Sequence, residues 1–151
     1  MLQELLGIKH PIIQAPMAGI STPALAAAVS NSGGLGSLGL GATPVEQARQ
    51  AIEETRALTE VPFQVNLFCH ESAQCDPERE ARWIEHLSPL FTELGLPVPK
   101  GCEEIYRSFL VDEKMFRMLL EMRPPVVSFH FGLPSEYRIE AFREAGITTM
   151  A

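Results

Sequence analysis

Only three cysteines, Cys69, Cys75 and Cys102, occur in the 151 residues. Their number and irregular spacing exclude a disulfide framework and a zinc cluster of the usual paired spacing, and a reducing cytoplasm is the expected compartment. Basic residues are scarce too. Twelve Lys and Arg stand against 19 Asp and Glu, a net charge of −7, which argues against a nucleic-acid surface or a polybasic membrane patch. An anionic ligand would need a local device such as backbone N–H groups. No run approaches the about 20 apolar residues that span a bilayer, and Met1-Leu2-Gln3-Glu4-Leu5-Leu6 lacks the basic region that opens a secretory signal. Neither a nucleophile elbow nor a phosphate-binding P-loop is present.

What is there suits one globular domain: 46% hydrophobic and 21% charged residues, enough to bury a sizeable core. Between His10 and Val45 there is no Asp, Glu, Lys or Arg, the pattern of elements covered by protein on both sides. Residues 11–17 read as a short buried strand. Ser21-Thr22-Pro23 then caps a helix through residues 24–29, and Ser32-Gly33-Gly34 closes it ahead of a second, glycine-thinned strand at 35–39. Thr43-Pro44 opens a helix that carries Val45, Ala48, Ile52 and Leu58 on one side. Phe63 to Phe68 reads as a third strand. Asp76-Pro77 caps a helix over about 78–94 with an apolar stripe of Trp83, Leu87, Leu90 and Phe91, interrupted at Pro89. A helix at 115–122, a strand at 126–131, a helix from Pro134-Ser135 with Ile139, Phe142 and Ala145 inward, and the start of a fifth strand at 147–151 complete the chain.

Strands alternating with helices call for parallel strands joined by right-handed crossovers. Two architectures compete, the open doubly wound sheet and the eight-stranded barrel. A complete barrel takes about 250 residues, so length by itself favours the open sheet. Gly34-Leu35-Gly36-Ser37-Leu38-Gly39 matches the dinucleotide fingerprint, with Glu53 and Glu54 near the offset of a ribose-binding acid. Yet it follows a helix and coincides with a strand, whereas the fingerprint follows a strand and opens a helix. Close helix-to-strand packing accounts for these glycines better. Cys69-His70 with Cys75 has no fourth partner suitably spaced for a metal.

Two polar residues sit near strand ends. Asn66 interrupts an apolar strand and needs partners there, either a ligand or the following loop. His130 occupies the comparable place in the later strand, where it could donate to an anion, move a proton, or be a satisfied core histidine.

Three segments carry a resemblance: residues 10–19 (HPIIQAPMAG), 25–36 (LAAAVSNSGGLG) and 62–68 (PFQVNLF), with 126–134 (VVSFHFGLP) in support. Together they resemble the nitronate monooxygenase family, also called 2-nitropropane dioxygenase, whose members are FMN-dependent barrels. The resemblance covers nearly the whole chain. It implies an α/β fold in which 1–151 form roughly the first four βα units of a TIM (β/α)8 barrel, the amino-terminal half of a single FMN-binding domain. It implies FMN as cofactor, with alkyl nitronate and molecular oxygen as substrates giving a carbonyl product and nitrite. Asn66 corresponds to an asparagine that contacts FMN, and Ala15, Pro16 and Met17 to the first-strand end beside the flavin ring. Pro16 stands where a glycine is often found and offers no N–H.

His130 corresponds to a position facing the substrate. The family's catalytic histidine and its phosphate-gripping loops fall beyond residue 151, so this segment is expected to be inactive by itself. FMN-dependent enoyl-acyl-carrier-protein reductases and NADH:quinone reductases share the opening motif and are the alternative activities. A non-catalytic half-barrel that self-associates through open strand edges is the non-enzymatic one.

Overall fold

The computed structural model describes residues 2–151. The chain divides into two compact units, one formed by residues up to Glu71 together with Tyr106–Ala151, the other by Ser72–Ile105.

In the larger unit, helix α1 (Leu2–Leu6) and helix α2 (Pro23–Asn31) precede strand β1 (Gly36–Gly39), helix α3 (Val45–Leu58) and strand β2 (Phe63–Phe68). The smaller unit holds helix α4 (Pro77–Glu93); helix α5 (Glu113–Met122), strand β3 (Val126–His130), helix α6 (Glu136–Glu144) and strand β4 (Thr148–Met150) then return to the larger one. The four strands are all parallel and lie in the order β1-β2-β3-β4. That order decides between the two architectures. A doubly wound sheet reverses its winding at a switch point, whereas a barrel adds each strand beside the last. The chain is therefore an α/β segment of TIM-barrel type, as the resemblance implies and length alone does not.

Alternation along the strands sets the two faces. Phe63, Val65 and Leu67 of β2 and Val127 and Phe129 of β3 join Ala48 and Ile52 of α3 and Phe116 and Leu119 of α5 in one buried cluster. Gln64, Asn66 and Ser128 lie on the opposite face, and they are buried as well. On that face, at the amino ends of the strands, Leu6 and Ile8 pack with Leu35 and Val126. This is the work of α1, a helix too short for its periodicity to stand out in the sequence.

The helix layer is anchored by an aromatic group in which the rings of Phe109, Phe116, Phe129 and Phe142 lie 5.4–6.3 Å apart. Arg138, only 8% exposed, lays its guanidinium over Phe109 at 5.0 Å and Phe116 at 4.8 Å. It also pairs with Glu113 at 3.1 Å and donates to the carbonyl of Phe109.

Several expectations need correction. Residues 11–17 form no strand ladder; their one bridge is Ile13 to Leu35, parallel. Pro11 and Pro16 have no N–H to extend it. Nor is the uncharged stretch between His10 and Val45 covered on both sides throughout, since Ile12 and Ile20 are more than 60% exposed. Leu58 lies outside the buried face of α3. Helix α4 runs through Pro89 without interruption and none of its residues is buried.

The dinucleotide reading fails on β1, because Gly36 and Gly39 lie within the strand. A Cβ at Gly36 would stand 1.9 Å from the carbonyl oxygen of Ala26. The glycine lets α2 rest directly on β1.

Candidate active site at the carboxyl ends of the strands

Parallel strands of this type present ligands at their carboxyl ends, and the polar residues of the non-helical face gather there. Asn66, 1% exposed, uses its amide nitrogen twice, donating to Ser128 Oγ at 2.9 Å and facing His130 Nδ1 at 2.9 Å. The register of β2 against β3 opposes Asn66 to Ser128 and Phe68 to His130, so all three side chains share one face. Unlike Asn66, His130 is exposed. The satisfied core histidine is thereby set aside. With Nδ1 accepting from Asn66, the neutral ring carries its hydrogen on Nε2.

Toward the amino end a second network pins the first loop. Gln14 donates to Ser21 Oγ at 3.0 Å and to the Ser37 carbonyl at 3.2 Å, and accepts from the Ser37 N–H at 3.3 Å. Ser37 Oγ donates back to the carbonyl of Gln14 and accepts from Gln64 Nε2 at 2.6 Å. The remaining amide oxygen of Gln64 is buried without a hydrogen-bond partner. Gln14 thus does for residues 11–17 what ladder hydrogen bonds do for a strand. Ala15 and Met17 are exposed and Pro16 half-buried. The Met17 N–H is occupied by Ser21 Oγ at 2.9 Å, so at this turn neither Pro16 nor Met17 has an amide hydrogen to give.

Aromatic residues form a rim. Phe68 meets Tyr106 edge-on at 5.6 Å and Phe131 at 5.0 Å, and Phe131 lies 5.9 Å from the His130 ring. Phe131 holds φ +69°, a left-handed conformation unusual for a bulky residue. Next to it, a Cβ at Gly132 would stand 2.5 Å from the Cys69 carbonyl oxygen. The turn after β3 is therefore packed tightly on the turn after β2, which the hydrogen bond from Cys69 N–H to the His130 carbonyl also ties at 2.8 Å.

Burial pushes the Cys69 thiol up to about 11, opposed by the Arg138 charge. That thiol is inert, which removes it from the reactive groups. Sequence reasoning found Asn66 and His130 but missed Ser128, Tyr106 and Phe131. Ser128 carries a period-two signal, being two residues before His130 on the same strand. Tyr106 follows an irregular stretch with no periodicity to mark it.

The assembled surface is uncharged and polar, bordered by aromatic carbon. It offers amide, hydroxyl and imidazole groups to a flat heteroaromatic ring with polar edges. Residues 14–18, 37–41, 66–70 and 128–132 contain no Lys or Arg, so the surface meets such a ring with neutral donors and acceptors and no side-chain cation.

Comparison with known proteins agrees with this fold. A family model described as nitronate monooxygenase matches residues 1–151. A nitronate monooxygenase of Paraburkholderia phytofirmans is 55% identical over 150 residues, covering 99% of this chain and 41% of that protein. One of Pseudomonas aeruginosa is 53% identical over 147 residues, covering 97% and 42%. Among solved structures, a nitroalkane oxidase from Streptomyces ansochromogenes superposes with a TM-score of 0.81 at 35% identity, over 98% of this chain and 41% of that one. FabK from Thermotoga maritima superposes with a TM-score of 0.65 at 30% identity, over 98% and 35%. The chain spans about two fifths of the length of the curated relatives it matches.

Proposed function

Since the chain belongs to the nitronate monooxygenase family, we propose that it forms the amino-terminal part of a single FMN-dependent barrel that oxidises alkyl nitronates with molecular oxygen to a carbonyl compound and nitrite. The observation that carries this reading is the network of Asn66, Ser128 and His130 at the strand ends. The scarcity and irregular spacing of cysteine suit a reducing, cytoplasmic compartment.

Bound FMN supplies the electron acceptor for the nitronate and the group that reacts with oxygen. This chain's residues shape the ring side of the site. Asn66 has both amide hydrogens committed to Ser128 and His130, which leaves its carbonyl oxygen as the acceptor for a ring N–H. Ala15, Pro16 and Met17 border the ring, with the Met17 side chain, 40% exposed, as apolar cover. His130 presents Nε2–H toward substrate, where it can donate to a nitro oxygen and hold the anion in place. Phe68 and Phe131 keep water from that contact. The essential base and the phosphate contacts are assigned to the remaining barrel. The second reading, an FMN-dependent enoyl-acyl-carrier-protein reductase, rests on the opening motif of residues 10–19, which those reductases share.

The test is nitrite release from ethyl nitronate in air with FMN added, measured for this chain alone and for this chain joined to the remaining barrel of the Pseudomonas aeruginosa relative. The expected result is turnover by the completed barrel and none by the segment. A completed barrel that holds FMN but releases no nitrite, while oxidising a reduced nicotinamide in the presence of an enoyl thioester, would favour the second reading.

A further inference from the structure

The smaller unit contains two of the three cysteines, and the proposed activity uses neither. Cys75 ends the segment that leads into α4, and Cys102 lies in the segment that leaves it. Both are exposed and unpaired. They are brought toward each other by three observations. The Ala73 N–H donates to Glu104 Oε1 at 3.2 Å, which ties the two ends of the unit two residues outside each cysteine. Cys102 lines a cavity of about 780 Å³ together with Gln74 and Asp76, the residues on either side of Cys75. Glu80, the charged neighbour that raises the Cys75 thiol, lines the same cavity.

We propose that Cys75 and Cys102 are a redox pair that closes into a reversible disulfide across the two ends of the Ser72–Ile105 unit. The oxidant is hydrogen peroxide or an organic hydroperoxide. One sulfur gives up its proton and attacks a peroxide oxygen; the O–O bond breaks, leaving a sulfenic acid and water or an alcohol. The second thiolate attacks the sulfenic sulfur, the S–O bond breaks, an S–S bond forms and the oxygen departs as water. Two electrons pass from the sulfurs to the peroxide, and a dithiol reductant returns them.

The neighbouring Glu80 disfavours the Cys75 thiolate, which assigns the first oxidation to Cys102 and the resolving step to Cys75. A transient bond of this kind is the form that disulfides take in a reducing compartment. Its effect is to fix the entry and exit of α4, none of whose own residues is buried.

The experiment treats the full chain with a small excess of hydrogen peroxide, blocks free thiols, and digests it at glutamate without reduction. Cleavage there separates residues 61–71, 72–78 and 94–103, so each cysteine has its own fragment. The expected product is fragment 72–78 joined to 94–103, lighter than the sum of the reduced fragments by two hydrogen masses and separated by dithiothreitol. Cys75→Ser is expected to leave Cys102 trapped as a dimedone adduct. Glu80→Gln is expected to speed closure, and closure to slow trypsin cleavage at Arg79 and Arg82 by about tenfold or more. Both thiols remaining free, independent over-oxidation of each, a bond to Cys69, or linkage only between chains overturns the proposal. Because the two residues are exposed, their serine variants retain the fold, which circular dichroism checks.

Discussion

Asn66 Nδ2 stands 2.9 Å from His130 Nδ1, so a buried amide on β2 sets which nitrogen of an exposed imidazole on β3 carries hydrogen. In the neutral ring the hydrogen sits on Nε2, directed away from the sheet. Two-bond 1H–15N correlation spectra are expected to give His130 the pattern of an Nε2–H tautomer. Asn66→Asp presents only acceptors and is expected to move the hydrogen to Nδ1, turning the outer nitrogen from donor to acceptor. Asn66→Ala removes both hydrogen bonds at a cost of about 1–3 kcal/mol, read by urea unfolding. An Nδ1–H pattern in the unaltered chain would reverse the orientation assigned to the Asn66 amide.

Gly36 is a packing glycine, not part of a phosphate cradle. Its missing Cβ would meet the Ala26 carbonyl at 1.9 Å, and backbone cannot yield as a flexible side chain does. Gly36→Ala is expected to force α2 off β1 and destabilise the chain by about 3 kcal/mol or more, measured by denaturant unfolding. Adding a methyl at Gly146, where nothing lies within 4 Å, costs only the strain of its positive φ and serves as the control.

Arg138 connects α6 to the segment that precedes α5. It donates to the Phe109 carbonyl, pairs with Glu113 and lies over two aromatic rings. Phe109 in turn donates its N–H to the Phe68 carbonyl at 2.7 Å, so the arginine supports the rim of the candidate site indirectly. Arg138→Met is expected to lose about 2–3 kcal/mol and to raise amide exchange at Phe109. Arg138→Lys keeps the charge without the planar fork and is expected to fall between the two.

The helices and the central strands were legible because their signals are local. Thr22 caps α2 by accepting from Leu25 N–H, and Asp76 caps α4 by accepting from Arg79 N–H, both where residue type places them. Asn66 and His130 stood out as polar residues in apolar strands. Sheet order was not legible from periodicity, since open and closed windings share the same alternation, and only the resemblance favoured the barrel. Residues 11–17 misled because an uncharged, Ile-rich run reads as a buried strand. Its two prolines and the hydrogen bonds exchanged between Gln14 and Ser37 make it a pinned loop instead. Tyr106 and Phe131 reach the rim through irregular turns, which leave no repeat in the sequence.

Cys69 gives the chain an alkaline weakness that can be isolated. Its thiol lies 2% exposed in the core, and burial lifts it from an ordinary 9.0 to about 11. Between those values the unfolded chain has released this proton and the folded chain has kept it. The folded state therefore binds more protons, and stability declines as pH rises from about 9, levelling beyond about 11. Other groups titrate in the same range, so the quantity to measure is the difference in thermal midpoint between the unaltered chain and Cys69→Ala across that window. The expected result is a steeper fall for the unaltered chain. Arg138 opposes the shift, so in an Arg138→Met background the thiol rises further and the decline extends to higher pH. Parallel slopes in the presence and absence of Cys69, or labelling of Cys69 by a maleimide as fast as Cys75 and Cys102 near neutral pH, would mean that the thiol is open to water and that the packing of the turn after β2 is looser than described.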